Sequence, residues 1–163
     1  DLEEAVVLHV RGGDALFDGA LTLPTLAYYK RCLDKLSPKK VVIISEPDDV
    51  SKYGSENPVP GKIIEYCNDV DIQCQRISGE DVFFDAGVVF WAKRVICSTS
   101  AFAQSLALFS RDCEEIYMPL PLKADQLWIQ DDCIEYIDAW ERFCPDKWQN
   151  DLEYRLAWVL GKC

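Results

Sequence analysis

The chain is 163 residues long with 49% hydrophobic residues, and 28 acidic against 17 basic side chains give it a formal net charge of −11. That length and apolar share suit a single globular domain with its own core. The acidic balance argues against a nucleic-acid partner, and no apolar run approaches the ~20 residues of a membrane span.

No signal-peptide pattern opens the sequence, which begins at Asp1 and reads as an excised domain or a processed product. The eight cysteines include no C-x-x-C pair, and with a single histidine they do not predict a metal site. They leave disulfides and the redox compartment open, as does the lack of an Asn-x-Ser/Thr acceptor.

The first predicted element is a buried strand, Ala5-Val-Val-Leu-His9-Val10, stopping at a tight loop, Arg11-Gly12-Gly13-Asp14. Pro24 opens a helix through Leu36, with Leu26, Tyr29, Leu33 and Leu36 at helical spacing. Val41-Val-Ile-Ile-Ser45 is a second buried strand, ending in the carboxylate-rich turn Glu46-Pro-Asp-Asp49. Residues 50–61, with two glycines and two prolines, read as loop. A short helix from Lys62 to Asn68 and a third strand from Asp71 to Ile77 follow. Glu80 to Trp91 is mostly apolar and is expected to be a buried helix carrying one charge inside it, Asp85. Arg94 to Ser98 is the fourth strand, Ser98-Thr99-Ser100 caps a helix from Ala101 to Ser110, and Glu115 to Met118 is the fifth strand.

Strand and helix alternate five times with no hairpin signature, which predicts an α/β fold with a doubly wound parallel sheet, Rossmann-like, over residues 1–121. Residues 122–163 hold four of the five tryptophans. They read as a Trp-rich helical tail packed on the same domain, with Trp148, Leu152, Arg155 and Val159 along one side.

Three places carry chemistry. Adjacent glycines let a ligand approach the backbone, and Arg11 offers a planar fork of donors for phosphate or carboxylate. The plain alternative is a glycine turn with a surface arginine, with Asp14 capping the loop or holding Arg11 and His9 bonded to a backbone carbonyl. Ser98-Thr99-Ser100 opens a helix, and helix amino ends accept phosphates, though the same residues are ordinary caps. In a parallel sheet the two loops share an edge and can grip one diphosphate from both sides. Asp85 is the sharper signal, because a carboxylate among Phe83, Phe84, Ala86, Gly87, Val88 and Val89 needs hydrogen-bond partners. It can take the two parallel donors on the Watson–Crick edge of guanine; its alternative is satisfaction by backbone N–H groups or a lysine.

Together these segments resemble a family. His9-Val-Arg11-Gly-Gly-Asp14 is similar to the H-x-R-R-x-D motif of GDP-fucose-dependent fucosyltransferases, the α1,2, α1,6 and protein O-fucosyltransferase group. The likeness continues through Tyr28-Tyr29 and through Ile44-Ser45-Glu46-Pro-Asp48-Asp49, similar to an F-S-D-D region. It ends with Asp85 and Val95-Ile-Cys-Ser-Thr-Ser100-Ala-Phe102, similar to I-x-x-N-S-S-F, so that it spans residues 5 to about 119. Gly12 stands where the family has a second arginine, no asparagine precedes Ser100, and Ala101 replaces a serine, which puts a serine-hydroxyl grip on phosphate in doubt.

The resemblance implies the carboxyl-terminal, donor-binding half of a GT-B glycosyltransferase, inverting and metal-independent. It implies Arg11 on the β-phosphate and His9 and Asp85 on guanosine. Gly12, Gly13, Asp14, Ser98, Thr99, Ser100, Ala101 and Phe102 complete the expected donor site. Asp18, in the loop after the motif, is the candidate base for a glycan acceptor's hydroxyl. An acceptor-binding lobe in a longer parent protein is expected, with Golgi lumen and cytoplasm both open. The alternatives are a glycosyltransferase domain using another nucleotide sugar and a degenerate domain kept for protein interaction.

Overall fold

The computed structural model describes residues 2–17, 19, 22–47, 52, 56–79, 81–121, 132–140 and 143–162, without the side chain of Asp14. Its elements are β1 (Ala5–Val10), α1 (Gly13–Phe17), α2 (Leu26–Leu36), β2 (Lys40–Ser45), α3 (Pro58–Asp69), β3 (Gln73–Ser78), α4 (Val82–Phe90), β4 (Arg94–Ile96), α5 (Ala101–Phe109), β5 (Glu115–Pro119), β6 (Ile134–Ile137), α6 (Pro145–Asn150) and α7 (Leu152–Val159).

The six strands form one sheet in the order β3-β2-β1-β4-β5-β6, and every pairing is parallel. β1 lies in the interior between β2 and β4, with Val6 opposite Val41 on one side and Arg94 on the other. All six of its residues, His9 included, are buried, as a near-continuous apolar run requires of a parallel strand covered on both faces. β3 lies at an edge, and its Gln-Cys-Gln-Arg-Ile-Ser sequence leaves alternate residues in solvent.

Alternate residues of each central strand feed two cores. Val6, Leu8, Val41, Ile43 and Ile96 meet α2, α3 and the tryptophans of α6 and α7 on one face. Val7, Val42, Ile44, Val95 and Ile116 meet Val88 and Val89 of α4 and Ala103 and Ala107 of α5 on the other. This is the predicted α/β architecture, with helices on both faces of a parallel sheet. Among the described residues no helix is long and apolar enough to cross a membrane.

Four expectations need correction. The helix expected at Lys62 begins at Pro58, because Asn57 caps it through the Val59 N–H at 3.1 Å and proline fits a first helical turn. A short helix, α1, follows the glycine loop directly, starting at Gly13 with φ of +49°. α4 is not buried. Apolar residues surround it, but a helix lying on a sheet covers only one side; Val88 and Val89 face inward while Phe83 is 84% exposed. The segment beyond residue 121 is not wholly helical, since Ile134–Ile137 adds the sixth strand beside β5. Its final helix is broken at Asp151, which caps α7 through Tyr154 N–H at 3.0 Å, and Leu152 faces solvent while Trp148, Arg155, Trp158 and Val159 are buried.

The tail is fixed to the sheet domain by polar contacts as well as packing. The Arg155 guanidinium donates to the carbonyls of Trp148 at 2.7 Å and Phe17 at 2.6 Å, and the Trp158 indole donates to the Leu23 carbonyl at 3.0 Å. Lys35 of α2 pairs with Glu135 of β6. The seven described cysteines are free thiols.

Candidate functional site

The strand order reverses between β1 and β4. From β1 the chain moves outward through β2 and β3, then returns to β4 and proceeds the other way through β5 and β6. At such a switch point the loops leaving the two strands diverge, and a crevice opens at their carboxyl ends where ligands of open α/β sheets bind. The loop after β1 holds Arg11, Gly12 and Gly13; the loop after β4 holds Ser98, Thr99 and Ser100.

The structure brings these two loops together. His9, the penultimate residue of β1, meets the Ser98 hydroxyl through Nδ1 at 2.9 Å. Both side chains are buried, His9 at 6% exposure. The Phe102 ring, in the first turn of α5, lies 6.2 Å from the His9 ring, centroid to centroid. Burial, with the Arg11 guanidinium nearby, pushes the His9 imidazole down to about 4. His9 is therefore neutral at pH 7 and works as a hydrogen-bonding group with one donor and one acceptor nitrogen, not as a cation.

Arg11 is only partly buried and forms an ion pair with Glu46 from the loop after β2. Its guanidinium is thus held by a carboxylate at the carboxyl end of the sheet. A Cβ at Gly12 would lie 2.6 Å from Asn57 Nδ2, so the backbone passes close against the cap of α3. Gly13 has a left-handed backbone that glycine alone adopts without strain. The two glycines are explained by a close approach and a positive φ.

The second loop is braced from behind. The Tyr28 hydroxyl donates to the carbonyls of Cys97 at 2.7 Å and Tyr117 at 3.2 Å, tying α2 to the ends of β4 and β5. Thr99 Oγ1 donates to the Thr22 carbonyl at 2.5 Å, and Gln104 Nε2 donates to the Ser98 carbonyl at 2.9 Å. Ser100 occupies the N-cap position of α5, but its side chain makes no capping hydrogen bond, contrary to the expected cap. Ala101 and Phe102 form the first turn, so the amino end of a nine-residue helix opens directly from the loop after β4.

Asp85 lies in the first turn of α4, which follows the carboxyl end of β3, and is half-buried. The cap of that helix is Asp81, which accepts from Phe83 N–H at 2.8 Å and Phe84 N–H at 3.0 Å. Asp14 lies in α1 with its side chain outside the described residues, and Asp18 lies outside them altogether, as do Asp48 and Asp49. Glu46 and Asn57 join the site although neither was singled out as a site residue. Asn57-Pro58 is a readable helix start, whereas the pairing of Glu46 with Arg11 depends on the β1–β2 register.

Among the described residues no cluster of three His, Cys, Asp or Glu side chains is arranged to hold a metal ion. Comparison with models of protein families, with curated proteins and with solved structures finds no match to the chain.

Proposed function

We propose that this chain is the donor-binding, carboxyl-terminal half of a GT-B fucosyltransferase, taking GDP-fucose and transferring fucose with inversion and without a metal. The observation that carries this reading is the junction of His9 with Ser98 at 2.9 Å across the β1/β4 switch point, with Arg11 beside it. A diphosphate laid across that junction meets the Arg11 guanidinium on one side and the N–H groups of the first turn of α5 on the other. As the bond to fucose breaks, the sugar becomes oxocarbenium-like and negative charge grows on GDP. Arg11 and the helix amino end stabilise that charge, the role a divalent cation plays elsewhere. The Ala101 backbone N–H serves where a serine hydroxyl is absent. His9 and Asp85 orient guanosine, Asp85 through the paired donors of the base. Asp18 is the candidate base for the acceptor hydroxyl. An acceptor-binding lobe of the parent protein completes the site, and the exposed rings of Phe83, Phe84 and Phe102 offer apolar surface to it.

A second reading, a non-catalytic interaction domain, draws on the Glu46 carboxylate already engaged with Arg11 and on the exposed rings of α4. Calorimetry of the chain with GDP, ADP and UDP decides between them. The donor-domain reading expects GDP to bind at least about tenfold more tightly than ADP or UDP. It also expects Arg11→Lys, which keeps the charge but loses the fork, to weaken GDP by about tenfold. Equal affinity for the three would point to another donor, and no binding would favour the interaction domain.

A further inference from the structure

A second concavity lies at the opposite end of the sheet, where strands begin. Glu3 precedes β1, Lys93 precedes β4 and Glu114 precedes β5, while Trp91 ends α4 and Arg111 and Asp112 follow α5. These six residues line a cavity of about 460 Å³, within the ~300–1,000 Å³ of small-ligand sites. We propose that this cavity binds a neutral carbohydrate stacked on Trp91, at a site separate from the β1/β4 crevice and independent of the function proposed for it.

The chemistry of the lining selects the ligand class. Trp91 is 62% exposed, and its ring stands edge-on against Phe90 at 5.2 Å and 86°. An exposed indole is a large apolar surface on which the C–H face of a sugar ring can stack. Around it are three carboxylates and two cations, with Lys93 and Glu114 3.4 Å apart. A fixed cation that stacked on Trp91 would meet Lys93 and Arg111, and a fixed anion would meet Glu3, Asp112 and Glu114. A sugar hydroxyl both donates and accepts, so a neutral polyol satisfies both signs at once.

The walls are anchored on the sheet. The Lys93 carbonyl accepts from Glu114 N–H at 2.7 Å and Glu115 N–H at 3.1 Å, and Arg94 donates to the Glu4 carbonyl at 2.8 Å. Ser110 Oγ accepts from Asp112 N–H at 3.2 Å, fixing the turn that carries Arg111. The cavity is therefore pre-formed, as a weak but specific sugar site requires.

The test is an NMR titration of the ¹⁵N-labelled chain, following the Trp91 indole N–H, which Trp91→Phe identifies by its disappearance. The probes are maltose, cellobiose and N-acetyllactosamine, with arginine amide and inorganic phosphate as cationic and anionic controls, each to about 10 mM. At least one disaccharide should shift the Trp91 signal saturably. Trp91→Ala should weaken that binding by at least about tenfold, read from the Lys93 and Arg111 backbone signals, and Arg111→Ala should weaken it several-fold with the fold intact. Arg11→Lys and added GDP should leave it unchanged. The proposal is overturned if no disaccharide shifts the signal, if arginine amide or phosphate binds instead, or if Trp91→Ala binds as the parent does.

Discussion

At the scale of single residues, His9 couples the crevice to the stability of the whole chain. Its imidazole falls from an ordinary 6.5 to about 4 on folding, first through burial and then through Arg11. Between those values the unfolded chain binds a proton that the folded chain refuses, so this residue's contribution to stability is fully present above pH 6.5. It is lost as pH falls from 6.5 to about 4 and is constant below that. From pH 7 to pH 5 the loss is about 2 kcal/mol. In His9→Gln, urea unfolding should show a fall in stability over that interval smaller than the parent's by about this amount; an identical fall would mean that His9 titrates normally. Asp85 carries the prediction on base choice. On the donor-domain reading, Asp85→Asn places an amide N–H₂ against a guanine donor, which should weaken GDP by about 1–3 kcal/mol, or roughly fivefold to a hundredfold. ADP and UDP never use the full pair and should change little in the same calorimetry. Equal weakening of all three would assign Asp85 to the fold.

At the scale of elements, the β1 loop and α3 are packed as one unit. A Cβ at Gly12 meets the Asn57 amide at 2.6 Å, and Asn57 caps α3. Gly12→Ala should therefore displace the cap and cost about 1–2 kcal/mol. In an Asn57→Ala background, where the obstacle is gone, the same change should cost clearly less, so a double-mutant cycle in thermal unfolding reads the contact. Additive losses would place the strain elsewhere. β1, β2, β4 and β5 were legible in the sequence because aliphatic, β-branched runs bounded by turn residues have one stable use in a parallel sheet. The start of α3 was not, since Pro58 and Pro60 signal a loop unless the Asn57 cap is recognised ahead of them. β6 was hidden for another reason: Ile134-Glu-Tyr-Ile137 is short, half-buried and half polar, and only its pairing with β5 makes it a strand. The meeting of His9 with Ser98 was within reach, because a parallel sheet sends both loops to one edge. The engagement of Arg11 by Glu46 was not, because it depends on which strand neighbours β1 and in what register.

At the scale of the whole molecule, the segment beyond residue 121 is part of the core. Trp148 and Trp158 are buried to within a few per cent in the same cluster as β1 and α2. Burying a large apolar side chain contributes about 1.5–3 kcal/mol, and a domain's total stability is only about 5–15 kcal/mol. Residues 1–121 alone, lacking both tryptophans, β6 and the Arg155 contacts, should show no cooperative thermal transition. A sharp transition at the temperature of the full chain would make the tail a separable appendage. The same scale bears on catalysis. The full 163-residue chain should bind GDP and yet transfer no fucose, because the proposed acceptor lobe lies outside it; measurable transfer by this chain would remove the need for that lobe.

The anchoring of the early loop by late residues has a consequence for biosynthesis. Arg155 holds Phe17 across 138 positions, and Trp158 holds Leu23 across 135. On a ribosome adding roughly 5–20 residues each second, the stretch after Gly13 waits on the order of ten seconds for the groups that will fix it. Within this stretch of chain the strand that leads into the glycine loop is made well before α7, and its loop is anchored only once α7 has followed. A nascent chain stalled short of α7 would display the His9 and Arg11 segment without its final anchor, and on the donor-domain reading nucleotide capture would wait until translation has passed residue 158.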